Sequence, residues 1–277
     1  MPEVKIDGAS IHYESRGSGP VLLMLLPQSS GPVGLDALLT GLVENHRVVT
    51  YHQRGTGRSS AWSEPMSMVD QAADAALVLE AAGAECAHIF CHSTGCGIGI
   101  SLAASHVHLT TSLSLVNPWT WGDPHLTTMQ NLRIAAARTL DPIHYSRFNA
   151  ALLFPPEYRR EHQAGFVRMA KDACRSPHNA DDIQRRLESI LAFDARTLLA
   201  QLDVPTLVVG ARDDQLMPAW FAEEAAAIMS NAELELFDGG GHMLPETRTM
   251  RLLEVVSAHT LLVTSKLVAG SSVRPWR

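Results

Sequence analysis

The chain has 277 residues, 46% of them hydrophobic and 18% charged, against the roughly 25% charged usual for soluble domains. Length and composition exclude global disorder and leave room for one large α/β domain or two ordinary ones. Twenty-two Lys and Arg against 29 Asp and Glu give a net charge of −7, the wrong sign for a nucleic-acid binder.

In chain order, short strands are predicted at Val4–Asp7, Ser10–Ser15 and Val21–Leu26, with the turn cluster Arg16-Gly17-Ser18-Gly19-Pro20 between the second and third. Further strands follow at Val48–Tyr51, Cys86–Cys91 and Ser112–Val116. Met68–Ala82 is rich in helix formers and stops at Gly83, a C-cap residue. From Asp123 to Leu202 the pattern is helical. Leu126, Met129, Leu132, Ala136 and Leu140 fall close to one helical face, as do Ile183, Leu187, Ile190 and Leu191. Pro142, Pro155-Pro156 and Pro177 punctuate this stretch. Strand signals return at Val204–Val209 and, more weakly, at Leu234–Phe237, and a last helix is expected over Arg248–Leu262, with a frayed tail after Gly270.

Strands buried on both faces and alternating with helices imply a mostly parallel sheet with helices on either side. The helical block reads as a lid inserted over the strand ends, where ligands bind in such sheets. The expected organisation is therefore a core of residues 1–122 and 201–277 with a cap at 123–200. The cap holds 11 Lys or Arg and 9 Asp or Glu, whereas the remainder holds 11 and 20. The plain reading puts those arginines on solvated helix faces. The sharper one turns one or two inward to hold a carboxylate with bidentate geometry.

The longest unbroken apolar run, Val21–Leu26, falls far short of the roughly 20 residues of a spanning helix. The start lacks a charged-then-apolar signal segment, so a cytoplasmic protein without a membrane partner is expected. Cys86, Cys91 and Cys96 are spaced by five, Cys174 is remote, and the thirteen histidines form no paired-ligand pattern. Neither a disulfide framework nor a metal site is expected. The oligomeric state stays open, a homo-oligomer included.

The chemistry concentrates at Cys91-His92-Ser93-Thr94-Gly95-Cys96-Gly97, where a strand runs into a sharp turn and a helix opens at once. This segment resembles the nucleophile elbow, G-x-S-x-G, of the α/β-hydrolase superfamily, with Cys91 in place of the first glycine. Gly210-Ala211-Arg212-Asp213-Asp214-Gln215-Leu216-Met217-Pro218 is similar to the G-x-x-D-x-x-x-P loop of the triad acid, and spacing to Pro218 favours Asp214 over Asp213. One of these two aspartates is expected to cap the following helix. Gly241-His242, followed by Pro245-Glu246, is similar to the segment of the triad base, and the order Ser, Asp, His is the superfamily's. Tyr51-His52-Gln53-Arg54-Gly55-Thr56-Gly57-Arg58-Ser59 is similar to the D-x-R-G-x-G-x-S loop, with His52 at the aspartate position, and reads as structural.

The resemblance implies an α/β-hydrolase fold and a serine hydrolase acting on a small ester, amide or related carbonyl compound, with no cofactor. Ser93 would be the nucleophile, His242 the base, and Asp214 the group that orients the imidazole and stabilises the imidazolium as it forms. One oxyanion donor would be the N–H of Thr94. The family's His-Gly-x segment is Pro27-Gln28-Ser29 here. Proline has no N–H, so the second donor falls to Ser29, and Gln28 faces the substrate. His92 reads as structural. Trp119 and Trp121 stand where the cap begins and are candidates either to anchor it or to line the pocket; Phe148, Phe154 and Tyr158 are further candidates.

Gln53-Arg54-Gly55-Thr56-Gly57, Leu115-Val116-Asn117-x-Trp119 and Phe154-Pro155-Pro156-Glu157-Tyr158 resemble the aminoacrylate hydrolases of pyrimidine breakdown, which implies a small carboxylate substrate with a hydrolysable C–N bond. A lactonase or a C–C bond hydrolase would use the same triad, and a ligand receptor would use the fold without it.

Overall fold

The computed structural model describes residues 2–6, 9–27, 31–61 and 66–271. The chain begins β1 (Glu3–Ile6), β2 (Ala9–Arg16), β3 (Val21–Leu25), α1 (Asp36–Val43), β4 (Arg47–Tyr51) and α2 (Met68–Ala81). It continues through β5 (Ala87–His92), α3 (Thr94–Ser105) and β6 (Thr110–Val116). Six helices follow: α4 (Pro124–Thr139), α5 (Pro142–Leu153), α6 (Pro156–Glu161), α7 (Gln163–Asp172), α8 (Ala180–Ala192) and α9 (Arg196–Gln201). The chain closes with β7 (Thr206–Ala211), α10 (Ala219–Ile228), β8 (Ala232–Phe237), α11 (Leu244–Thr247) and α12 (Thr249–Ser271).

The eight strands form one sheet in the order β1-β2-β4-β3-β5-β6-β7-β8. Only β1 and β2 run antiparallel to their neighbours; the other pairs are parallel. Side chains alternate between faces along a strand, and β3 divides accordingly. Leu22 and Met24 pack with Leu38 and Leu42 of α1 and Leu252 and Val256 of α12. Leu23 and Leu25 pack with α2, α3 and α10 on the opposite face. The sheet is thus buried on both sides, as its near-continuous apolar strands require. This is the α/β-hydrolase architecture expected from the strand-helix alternation and the turn motifs.

The helical segment lies between β6 and β7, and local chemistry sets its breaks. Asp123 and Asp141 cap α4 and α5 by accepting from the N–H groups of Leu126 and His144, with Pro124 and Pro142 at the first helical positions. The expected apolar face of α4 is buried in part, with Leu126 and Ala136 inside and Met129 packed against the core. Leu132 is 53% exposed, and Leu140 lies past the helix end, whereas Leu126, Gln130, Ala136 and Ala137 are buried. The inward face includes polar residues because α4 roofs a cavity.

The last helix runs nine residues past the expected end, to Ser271. Its stretch Thr249–Ala269 is long and apolar enough to cross a bilayer by length and composition. A search for unbroken apolar runs misses it because Ser257, His259 and Thr260 interrupt the pattern. Leu252, Val256 and Val263 are buried against the core. Thr260 and Thr264 place their hydroxyls 3.0 Å from Nε2 of His46 and of His88.

Candidate active site

The central feature is a strained turn between β5 and α3. Ser93 has φ 53°, one of two described non-glycine residues at positive φ, a conformation an L-residue holds only when its surroundings impose it. They do so here: the Ser93 N–H donates to the Val116 carbonyl at 2.9 Å, and the Ser93 carbonyl accepts from Cys96 at 2.8 Å. A Cβ on Gly95 would stand 2.0 Å from the Leu25 carbonyl oxygen, so only glycine lets α3 approach β3 this closely. The cysteine at the motif's first glycine position is accommodated by a second absence. A Cβ on Gly99 would lie 2.2 Å from Cys91 Sγ, so the thiol occupies the space that the Gly99 side chain leaves empty.

Ser93 Oγ lies 2.7 Å from His242 Nε2, and His242 Nδ1 lies 2.8 Å from Asp214 Oδ2. All three residues are buried. A carboxylate only accepts, so Nδ1 carries the proton and Nε2 is left to accept from the serine hydroxyl. Asp214 is itself held on both oxygens. Its Oδ2 also accepts from Asn117 Nδ2 at 2.8 Å, and its Oδ1 accepts from the N–H groups of Leu216 and Met217 at 2.8 and 3.0 Å. Asn117, the other described non-glycine at positive φ, follows β6 directly. Its contact with Asp214 has no counterpart in the turn motifs, which do not reach this strand end.

Asp213 takes a different place. Its two oxygens accept from the N–H groups of Gly240 and Gly241 at 3.1 and 2.8 Å, pinning the loop that carries His242. Neither aspartate side chain caps α10, which opens at Pro218 with no side-chain cap. His92 donates from Nε2 to the His242 carbonyl at 2.8 Å, and burial lowers its pKa to about 3, so it is a neutral strut. His242 N–H donates to the Leu153 carbonyl at 3.0 Å, tying this loop to the end of α5.

The loop after β4 is built as scaffold. Arg54 grips Asp74 of α2 with two hydrogen bonds of 2.8 Å. His52, at the aspartate position, accepts from the Arg58 N–H through Nδ1 at 3.1 Å. Gln53 donates to the Leu26 carbonyl at 3.0 Å.

A cavity of about 360 Å³ opens over Ser93 and His242, within the roughly 300–1,000 Å³ of ligand pockets. Thr94 lines it, and its N–H is among the first of α3, which have no partner within their own helix. Gln28 and Ser29 lie outside the described residues. Neither tryptophan is among the lining residues. Trp119 is fully buried, packs against Gly97 and donates to the Ile190 carbonyl at 3.2 Å, joining α3 to α8. Trp121 lies under the Arg196 guanidinium, 4.5 Å from the ring centroid. Phe154 lines the cavity, whereas Tyr158 donates to Glu246 at 3.0 Å. Phe148 packs against the Ala136, Ala137 and Tyr145 cluster. The roof comes from α4, α5, α7 and α8 and includes Arg133 and Arg186, both inward. Their signal in the sequence is position: Arg133 falls on the Leu126, Gln130, Ala137 face, and Arg186 on the Ile183, Leu187, Ile190 face.

Residues 28–249 match the sequence model of the α/β-hydrolase fold family. The chain is 32% identical over 244 residues to "Putative carbamate hydrolase RutD" of Azorhizobium caulinodans, covering 87% of this chain and 91% of that protein. A protein of the same name from Pseudomonas savastanoi is 28% identical over 261 residues, 90% of this chain and 98% of its own. Among solved structures, an α/β hydrolase from a deep-sea metagenome library superposes with a TM-score of 0.86 at 20% identity, over 94% of this chain and 97% of its own. The enol-lactonase of Burkholderia xenovorans superposes with 0.82 at 20% identity, over 94% of this chain and all of its own. On fold, sequence family and relatives together, the chain belongs to the α/β-hydrolase family and is a hydrolase.

Proposed function

We propose that the protein is a serine hydrolase that cleaves a small ester, amide or related carbonyl compound through an acyl-enzyme on Ser93. The observation that carries this reading is the continuous hydrogen-bonded chain Ser93–His242–Asp214 at the floor of the cavity. A serine hydroxyl is a weak nucleophile at neutral pH and needs a base within reach of its proton. His242 Nε2 takes that proton as Oγ attacks the carbonyl carbon. Asp214 holds the imidazole in the required tautomer and stabilises the imidazolium as it forms. The oxyanion is held by the Thr94 N–H together with a second donor, which we assign to Ser29. His242 then returns the proton to the leaving oxygen or nitrogen, and a water activated the same way releases the acid product.

The segment 123–200 acts as a lid that closes the site from bulk water, and Asn117 positions the acid. Cleavage of a C–N bond is the second reading, favoured by the 32% identity to a protein named for carbamate hydrolysis. The test is rapid-mixing hydrolysis of 4-nitrophenyl acetate. A burst of nitrophenol stoichiometric with enzyme, absent in Ser93→Ala, supports the acyl-enzyme. Turnover that survives Ser93→Ala overturns it.

A further inference from the structure

The fold treats its buried arginines in two ways. In the loop after β4, Arg54 has the carboxylate of Asp74 on both arms. In the cavity roof, Arg133 has none. Among the described residues, its one hydrogen bond is from Nη1 to the neutral amide oxygen of Gln130 at 3.0 Å. Its Nε is shielded from solvent without an acceptor, and so is the amide nitrogen of Gln130, which is fully buried. Among the described residues Arg186, on α8, reaches only the Gly55 carbonyl at 3.4 Å and forms no ion pair. Among the described residues, no aspartate or glutamate lines this cavity. Two guanidinium groups, with unused donors, thus face the enclosed space above Ser93. Burial disfavours the charge of both arginines, a cost that proteins normally offset with a counter-ion.

We propose that Arg133 and Arg186 bind a carboxylate that the substrate carries away from its reacting carbonyl, making this enzyme selective for acidic esters, amides or lactones. The planar fork of arginine matches a carboxylate through two parallel hydrogen bonds, and Gln130 holds one arm of Arg133 from behind the cavity wall. The rest of the wall is mostly apolar, including Leu153, Phe154, Ile183 and Met217, and fits a short hydrocarbon link between the two carbonyl groups. The inference deepens the serine-hydrolase reading and departs from carbamate as substrate. Carbamate has its only carbon inside the anion, a poor electrophile, and the cavity holds a much larger molecule.

The test compares 4-nitrophenyl hemiglutarate with 4-nitrophenyl valerate, a neutral ester of the same chain length. The wild-type protein is expected to favour the acidic ester in kcat/KM. Arg133→Gln should lower the acid-to-neutral ratio about 10- to 100-fold, through KM of the acidic ester, and Arg133→Lys should restore part of it. A parallel titration follows the heat of glutarate binding to Ser93→Ala, with and without Arg133→Gln. Binding should be lost with the arginine. If the protein turns over valerate with a ratio that Arg133→Gln does not move, the carboxylate site is overturned while the hydrolase reading stands. If neither ester is cleaved, that reading fails and the titration decides alone: no glutarate heat, or heat unchanged by Arg133→Gln, overturns the site. Should Arg133→Gln not fold, Arg186→Gln carries the same comparison.

Discussion

The floor and the roof of the cavity are built on different terms. On the floor, backbone geometry dictates position: Ser93 sits at a forced turn, Asp214 is held by four hydrogen bonds, and the His242 loop is pinned by Asp213. The triad's own hydrogen bonds are made before a ligand arrives, the preorganisation that transition-state stabilisation requires. In the roof, Arg133 and Gln130 keep donors unused inside the protein. The triad is assembled without substrate and the roof keeps donors for one, which separates the machinery for reaction from the machinery for selection.

Substitutions on the floor should break the account most severely. Ser93→Ala should reduce kcat for an activated ester by ~10⁶-fold, with circular dichroism unchanged. Asp214→Asn should cost about 10⁴-fold by presenting the wrong partner to Nδ1. Asp213→Ala should cost only about tenfold, by loosening the loop. Equal losses from the two aspartates in steady-state assays would contradict their division of labour. Asn117→Ala, which removes one of four hydrogen bonds to Asp214, should also cost about tenfold.

Stability sharpens the same contrast. Gly99→Ala should destabilise the protein by about 1–3 kcal/mol through overpacking against Cys91, measured by urea unfolding. The double variant with Cys91→Ala should recover most of this; strict additivity would refute the packing account of the altered elbow. In the roof, Arg133→Gln removes a buried charge without a counter-ion, so the melting temperature of the free protein should rise or hold. A fall of several degrees would mean that the arginine has a structural partner.

The last effect concerns pH. Burial, reinforced by His46 and His259, lowers the His88 pKa from 6.5 to about 4. The folded protein therefore resists protonation that the unfolded chain accepts below pH 6.5. Stability from this group is full above that pH and is lost as pH falls toward 4, by up to about 1.4 kcal/mol per pH unit. Urea midpoints between pH 7 and 4.5 should show a shallower slope in His88→Gln.

The floor is legible in the sequence residue by residue and the roof only in outline, its helices, the apolar face of α8 and one or two inward arginines, for a physical reason. Turns and strand ends depend on local residue types, so the serine, histidine and aspartate segments and the parallel sheet read directly from runs such as Val21–Leu25 and Ala87–His92. The roof depends on which face of a helix turns inward. Searching α4 for apolar spacing finds the buried Leu126 and Ala136 but also selects Leu132 and Leu140, which the structure exposes, and passes over Gln130, which is buried, and Arg133, which lines the cavity. The two tryptophans at the junction were read both as anchors and as lining, and their packing is that of anchors. Asn117 escaped as a positioning residue because its partner is 97 residues away in the chain.

The account rests on an activated Ser93, and the most direct measurement is intact mass after exposure to a serine-directed fluorophosphonate. A single adduct is expected, mapped by peptide mass to Ser93, absent in Ser93→Ala and strongly slowed in His242→Ala. A folded protein that forms no adduct and also leaves a small aryl ester intact, or one labelled at another serine, would contradict it.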